Sequence, residues 1–500
     1  MKEMFLTMAF AACAASATGA KRQVNNALNF DASKGVERTL TLATGQTVKY
    51  KAYEGLCYVT YMADTTYQYM NVYVPEGANQ HSPIFLKNNV GGYMPARPGN
   101  VSAGDATGMA LFRGYVVALP GVRGRTSFVM YGKKKVYNGK APAAILDLKA
   151  AVRYLRHFDE QIPGDAEKII SDGTSAGGAL SALLGASGNN AVYEPLLDEM
   201  GAAKERDDIF AAVCFCPITD LAHADMAYEW LYSDTKSRQG NDEIHREVSK
   251  ELALLFPEYQ KSLGLKLEDG TPLTADNYRD FIKSELIRSA QLAKDAGAEI
   301  PDGIGFSFNK EKGTFAPLDG GVMPTQKIAD GMAQGSPRRM PAPMHMGEYV
   351  VDLDLSKYLN YVTKKTPLKG VPAFDALGVA NGVATGENDE FGDTSNKPAN
   401  FTTYSASKGG SKLSEGVVAN ELLLNPMQQI GSEKATNAPY WYIRHGAIDR
   451  DTAFPIPLNL AMKLKNAGRN VNYLLAWNRP HSGDYALHEL FDWLDTIARK

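Results

Sequence analysis

A chain of 500 residues with 44% apolar composition can bury one large core or two moderate ones. Charged residues make up 22% and the formal net charge is −3, so there is no basic field to recruit nucleic acid. The four cysteines (Cys13, Cys57, Cys214 and Cys216) form no disulfide framework and no zinc spacing, and no metal or other cofactor is expected.

Residues 1–20 read as an export signal. Lys2 precedes an apolar run from Met4 to Ala17, and small residues follow at Ala15-Ser16-Ala17 and Thr18-Gly19-Ala20. The run is too short to span a bilayer, and no other stretch is long and apolar enough to do so. The expected location is therefore secreted or periplasmic. A lipoprotein signal ending at Cys13 is the weaker variant, because Phe10 is a poor residue three positions before it.

The next segment is rich in strands. Val36–Leu42, Val48–Tyr53 and Tyr69–Val74 alternate or carry β-branched and aromatic residues. Ile84–Leu86 leads into the glycine-dependent loop Asn88–Gly92, and 114–119 reads as a buried strand stopped by Pro120-Gly121. Ala144–Phe158 has helical periodicity, with Ile145, Leu148, Val152 and Leu155 on one face. A strand at 168–170 then runs into Gly173–Gly178, a helix follows to Ala186, and Ile209–Cys216 is another apolar strand. In that strand Cys214 and Cys216 should share a face and resist bridging. Strands alternating with helices specify a parallel sheet with crossover helices.

From 218 to 435 the alternation stops. Helices and irregular segments dominate, with Asp276–Lys294 the clearest helix and 301–347 rich in Gly, Pro and Met. Strands resume at Tyr440–Ile443 and Val471–Leu475, and a helix closes the chain over Tyr485–Ala498. The expected architecture is an α/β domain over 21–217 and 436–500, interrupted by an insertion over 218–435.

Gly173-Thr174-Ser175-Ala176-Gly177 matches the G-x-S-x-G elbow, with a strand before it and a helix after it. The turn is sterically tight, so the neighbours of the serine must lack bulk. The helix N-terminus adds free N–H groups and a positive dipole end near the hydroxyl. Subtilisin and chymotrypsin patterns fail, because neither the order of residues nor the strand–helix alternation fits them.

The order serine, acid, histidine is that of α/β-hydrolases. Asp449, in His445-Gly446-Ala447-Ile448-Asp449 after a strand, is the acid, and His445 is a structural residue of that turn. His481, in the loop after the last strand, is the base; the other six histidines lie on early helices, in the insertion, before a strand or on the closing helix. The oxyanion donors are the amides of Ala176 and, from the Asn88–Gly92 loop, Gly91, with Gly92 close behind. These residues specify a serine esterase. An inactive α/β-hydrolase serving as a binding module would lack a triad member, yet Ser175, Asp449 and His481 are present in order.

The segments Ser171–Ser181, Arg444–Thr452 and Pro480–Tyr485 resemble bacterial tannases (tannin acyl hydrolases), and the likeness runs over nearly the whole mature chain. The resemblance implies hydrolysis of galloyl esters, with a small phenolic ester as substrate and the insertion acting as a lid. It also implies that a Lys, a Glu and the second Asp of an Asp-x-Asp pair hold the ring hydroxyls. These positions match Lys369, Glu387 and Asp451, with Lys364 and Lys365 as alternatives to Lys369. A feruloyl-type or general carboxylesterase with the same triad is the alternative within enzymes.

Overall fold

The computed structural model describes residues 23–24, 27–309 and 349–499. The export signal and His345 lie outside the described residues.

Nine strands form one sheet: β1 (Val36–Thr41), β2 (Thr47–Leu56), β3 (Met70–Pro75), β4 (Pro83–Lys87), β5 (Val116–Pro120), β6 (Asp165–Thr174), β7 (Ala211–Phe215), β8 (Tyr440–Gly446) and β9 (Asn470–Ala476). Their spatial order is β9-β8-β7-β6-β4-β5-β3-β2-β1. Pairing is parallel from β9 to β5 and antiparallel from β5 to β1. Every residue of β4, β5 and β7 is buried, as a parallel sheet covered on both faces requires. β2 exposes alternate residues for much of its length and reads as a half-solvated strand.

One face is covered by helices α1 (Ala106–Phe112) and α9 (Leu487–Ala498), the other by α2 (Ala143–His157), α3 (Ala176–Ala186) and α8 (Pro455–Asn466). Phe491 of α9 packs on Phe85 of β4 and Tyr115, with ring centroids 5.4 and 5.5 Å apart. α3 is buried throughout because its small residues let it lie directly on the sheet. This is the α/β-hydrolase fold.

Between β7 and β8 lie α4 (Leu221–Tyr232), α5 (Glu243–Ser262), α6 (Ala275–Asp295) and α7 (Leu355–Lys365), with shorter helices and an antiparallel pair, Phe306–Asn309 with Tyr349–Leu353. Hydrogen bonds fasten this segment to the sheet and to the acid loop. Arg288 of α6 donates to the Tyr473 carbonyl (2.9 Å), Tyr358 of α7 to that of Ala447 (2.7 Å) and Tyr228 of α4 to that of Arg450 (2.7 Å).

One expectation fails. β7 ends at Phe215, one residue before Cys216, which turns with φ +44 while its amide still donates to the Arg444 carbonyl of β8 at 2.7 Å, so the regular alternation of the strand does not extend to Cys216. The Cys216 thiol instead donates to the Ser482 carbonyl at 3.0 Å, beside the base loop. Cys57, Cys214 and Cys216 are free thiols.

Candidate active site

Ser175 sits between β6 and α3 with φ 62 and ψ −123, a strained conformation for a residue with a side chain. Its amide donates to the Phe215 carbonyl (2.9 Å), which fixes the turn against β7. The flanking glycines are sterically required. A Cβ on Gly173 would lie 2.3 Å from the Gly177 carbonyl oxygen, one on Gly177 2.6 Å from that of Val90, and one on Gly178 2.5 Å from that of Phe215. Ala176 opens α3, where first-turn amides have no intrahelical acceptor.

β8 ends in Gly446, whose missing side chain admits the Arg479 carbonyl, 2.1 Å from an ideal Cβ position. The loop after β8 carries Asp449, which is buried. His481, in the loop after β9, places Nδ1 2.8 Å from Asp449 Oδ2. With Nδ1 engaged, Nε2 is the ring nitrogen left for another partner. Asp449 Oδ1 accepts the Asp451 amide at 2.8 Å, so both carboxylate oxygens are held. Burial alone would raise the Asp449 pKa, yet the neighbouring His445 and His481 rings and the Asp451 amide hold it below the usual carboxylate value. Burial pulls His481 down, but the hydrogen bond and charge of Asp449 and the charge of Asp451 outweigh it, and its pKa is raised. His445 is fully buried, with Nδ1 3.6 Å from Asp449 Oδ2 and no hydrogen-bond partner among the described residues.

A cavity of about 240 Å³ opens at Ser175. It is lined by Gly92, Tyr93, Ser175, Ala176, Ile218, Lys369, Glu387, Asp451 and His481. The fold thus brings the serine, the histidine and all three residues suggested for ring recognition to one cavity from five chain segments. Tyr93 and Ile218 carry no sequence signal and were not anticipated. Lys364 and Lys365, in the last turn of α7, are not among the lining residues.

The loop that begins at Asn88 meets the cavity at Gly92 and Tyr93, both with φ +55, and Gly91 is not among the lining residues. The carbonyls of Gly91, Gly92 and Tyr93 accept bonds from Met94 N, Arg125 Nε and Arg125 N, at 2.9, 2.9 and 2.8 Å. The amides of Gly92 and Tyr93 donate to no other group among the described residues.

Lys369 lies in an irregular segment and Glu387 in a short helix, and both are anchored from below. Asp225 of α4 accepts the amides of Phe374 and Asp375 at 2.8 and 2.9 Å. Asp375 in turn accepts bonds from Asn388 (2.7 Å), Asn400 (2.6 Å), Thr402 and the Phe401 amide. Asn388 belongs to the short helix Gly386–Glu390 that carries Glu387. The Lys369 ammonium lies 4.1 Å from the centroid of the Phe374 ring. Asp451 keeps a partly exposed carboxylate, paired with Arg450 and 3.7 Å from His481 Nδ1.

Among the described residues two side-chain clusters have ligand atoms close enough to hold a metal: Cys216, His445 and Asp449, and Asp449, Asp451 and His481. Both use Asp449, so a metal in either would compete with His481 for that carboxylate.

A family model described as BD-FAE matches residues 70–255. Among curated proteins the chain finds no match. Among solved structures it is similar to the tannase of Fusobacterium nucleatum, with 37% identity over 95% of this chain and 100% of that one and a TM-score of 0.79. The tannin acyl hydrolase of Lactobacillus plantarum is 36% identical over 94% of this chain and 99% of that one, with the same TM-score of 0.79. A tannin acyl hydrolase in complex with ethyl gallate is 36% identical, with a TM-score of 0.79 and 94% and 99% of the two chains covered.

Proposed function

This chain belongs to the tannase family and is a carboxylic ester hydrolase, and on that premise we propose that it hydrolyses galloyl esters through an acyl-enzyme on Ser175. The observation that carries the proposal is the single cavity that gathers Ser175, His481, Lys369, Glu387 and Asp451. One of the similar structures is a complex with ethyl gallate, the ester this cavity would take. About 240 Å³ is small beside the roughly 300–1,000 Å³ of drug-sized pockets and suits one substituted ring.

His481 Nε2 takes the Ser175 proton as Oγ attacks the ester carbonyl. The developing oxyanion accepts N–H bonds from Ala176 and from an amide of the Asn88–Gly92 loop, where Gly91 is the expected donor and the neighbouring Gly92 and Tyr93 line the cavity. The C–O bond to the alcohol breaks, and His481 returns the proton to that leaving oxygen. Water, deprotonated by the same imidazole, then frees gallic acid and restores Ser175. Asp449 holds His481 in the tautomer with Nδ1–H and stabilises the imidazolium. Asp451 and Glu387 accept hydrogen bonds from ring hydroxyls, and Lys369 donates to them. A ring that lacks those hydroxyls leaves polar groups unmatched and is disfavoured.

The segment over residues 1–20 supports export, to be checked by N-terminal sequencing of protein from its host; a chain still beginning at Met1 would exclude it. The substrate class is tested by turnover of methyl gallate and methyl ferulate side by side. Faster turnover of gallate is expected; faster turnover of ferulate would replace the galloyl assignment by a feruloyl one.

A further inference from the structure

Lys87 is the last residue of β4, immediately before the loop that reaches the cavity at Gly92 and Tyr93. It is almost completely buried, and its ammonium makes two ion pairs: 2.6 Å to Asp172 Oδ2 and 2.7 Å to Asp484 Oδ1. Asp172 lies on β6, three residues before Ser175, and is fully buried. Asp484 lies three residues after His481, with φ +53. One cation therefore touches the carrier of the serine and the carrier of the histidine, and it sits at the root of the loop that supplies the second oxyanion donor.

The surrounding contacts make this joint stiff. The Asn88 amide donates to the Asp172 carbonyl at 3.0 Å, and the Asn88 side chain bonds the Gly177 carbonyl and Ser181 Oγ, both at 3.1 Å. Gly483, between His481 and Asp484, lies so close to Thr174 that a Cβ would fall 1.8 Å from its Oγ1. Burial disfavours the charge on Lys87, but the two carboxylates outweigh it and its pKa is raised, so the ammonium persists. The Asp172 carboxyl, raised by burial to about 6, has one oxygen on Lys87 and the other without a partner among the described residues. The strand end, the elbow strand and the base loop thus converge on the Lys87 ammonium, which pairs with both carboxylates.

We propose that Lys87 is a positioning residue for acyl transfer: through Asp172 and Asp484 it clamps the Ser175 strand to the His481 loop and sets the approach of the two groups. The proposal rests on the roles given above to Ser175 and His481. Because the clamp acts on the reacting pair and not on the ring pocket, its loss lowers kcat for every ester and leaves KM nearly unchanged.

The test compares full-length wild type, Lys87→Met, Asp484→Asn and Ser175→Ala, by thermal melts and by steady-state kinetics on methyl gallate and methyl benzoate. Asp484→Asn keeps the Lys87–Asp172 pair and changes a partly exposed side chain, so it supplies the answer if Lys87→Met does not fold. For folded Lys87→Met and Asp484→Asn kcat should fall on the order of ten- to a hundredfold for both esters, with KM within about twofold, as an ångström-scale misplacement produces. Labelling of Ser175 by an organophosphonate should slow in parallel. A merely structural role would lower the melting temperature and leave kcat below the melt untouched. Wild-type kcat in folded Asp484→Asn, or a loss confined to KM, would overturn the clamp. Full activity in Ser175→Ala would instead overturn the nucleophile on which it rests.

Discussion

Replacing Asp451 by alanine separates ring recognition from the triad. Its carboxylate lines the cavity and also lies 3.7 Å from His481 Nδ1, so it has two possible tasks of different size. As acceptor for a galloyl hydroxyl it provides a charged hydrogen bond, worth roughly 1.5–3 kcal/mol. At about 1.4 kcal/mol per decade, its loss lowers kcat/KM for a gallate ester on the order of ten- to a hundredfold. The support it gives His481 is smaller, because the side chain keeps 28% of its exposure and water screens the pair. A partly exposed pair is worth at most about 1 kcal/mol, or roughly fivefold. Propyl benzoate, which lacks ring hydroxyls, reports only this second task. Measured on propyl gallate and propyl benzoate, Asp451→Ala should therefore lose gallate turnover well beyond benzoate turnover. Asp449→Ala should lose both alike and severely, because the imidazole is no longer oriented. Equal losses for both esters in Asp451→Ala would refute the division of labour and leave Asp451 serving His481 alone.

Three further outcomes follow from the geometry. His481 titrates above its ordinary 6.5, and its protonated form cannot take the serine proton, so kcat/KM for methyl benzoate should fall as pH drops through an inflection above 6.5. Asp451→Asn removes one raising charge and should shift that inflection to lower pH; a pH–rate profile with a wild-type inflection at or below 6.5 contradicts the charge arrangement. Gly483→Ala places a methyl group 1.8 Å from Thr174 Oγ1, so the base loop must move and kcat should drop on the order of a hundredfold, measured on a variant shown to be folded by circular dichroism. Asp375→Ala leaves the donors of Asn388, Asn400 and Thr402 unmatched, each costing about 1–3 kcal/mol if it stays buried. It should lower the melting temperature and raise KM for gallate esters while phosphonate labelling of Ser175 persists.

The parallel half of the sheet was legible because its strands are short apolar runs separated by helices and turn residues. The elbow was legible because sterics allow only small residues beside Ser175. Asp449 and His481 could be placed because each follows a strand at the same end of the sheet. Lys369 and Glu387 were suggested by resemblance alone. Lys369 lies in an irregular segment and Glu387 in a five-residue helix too short to show periodicity, and the contacts of Asp225 and Asp375 that hold them come mostly from far along the chain. Lys87 carried no signal either, since a lysine closing a five-residue strand looks like a solvated end until Asp172 and Asp484 arrive from far along the chain. At the Asn88–Gly92 loop two consecutive positive φ values, at Gly92 and Tyr93, accompany the two residues that line the cavity, and a glycine-rich loop does not reveal that turn in its sequence. α7 could have been found: Asp354 caps it by accepting the Lys357 amide, and Tyr358, Leu359 and Val362 form its buried stripe.

The central claim is that Ser175 carries galloyl ester hydrolysis, and the most direct test is the release of gallic acid from methyl gallate by wild type and by Ser175→Ala. Wild type should release it readily. Folded Ser175→Ala should retain only a trace, with a loss in kcat on the order of a millionfold for removal of a triad nucleophile. Gallic acid release by Ser175→Ala at a rate near wild type, or none from folded wild type, would contradict the account.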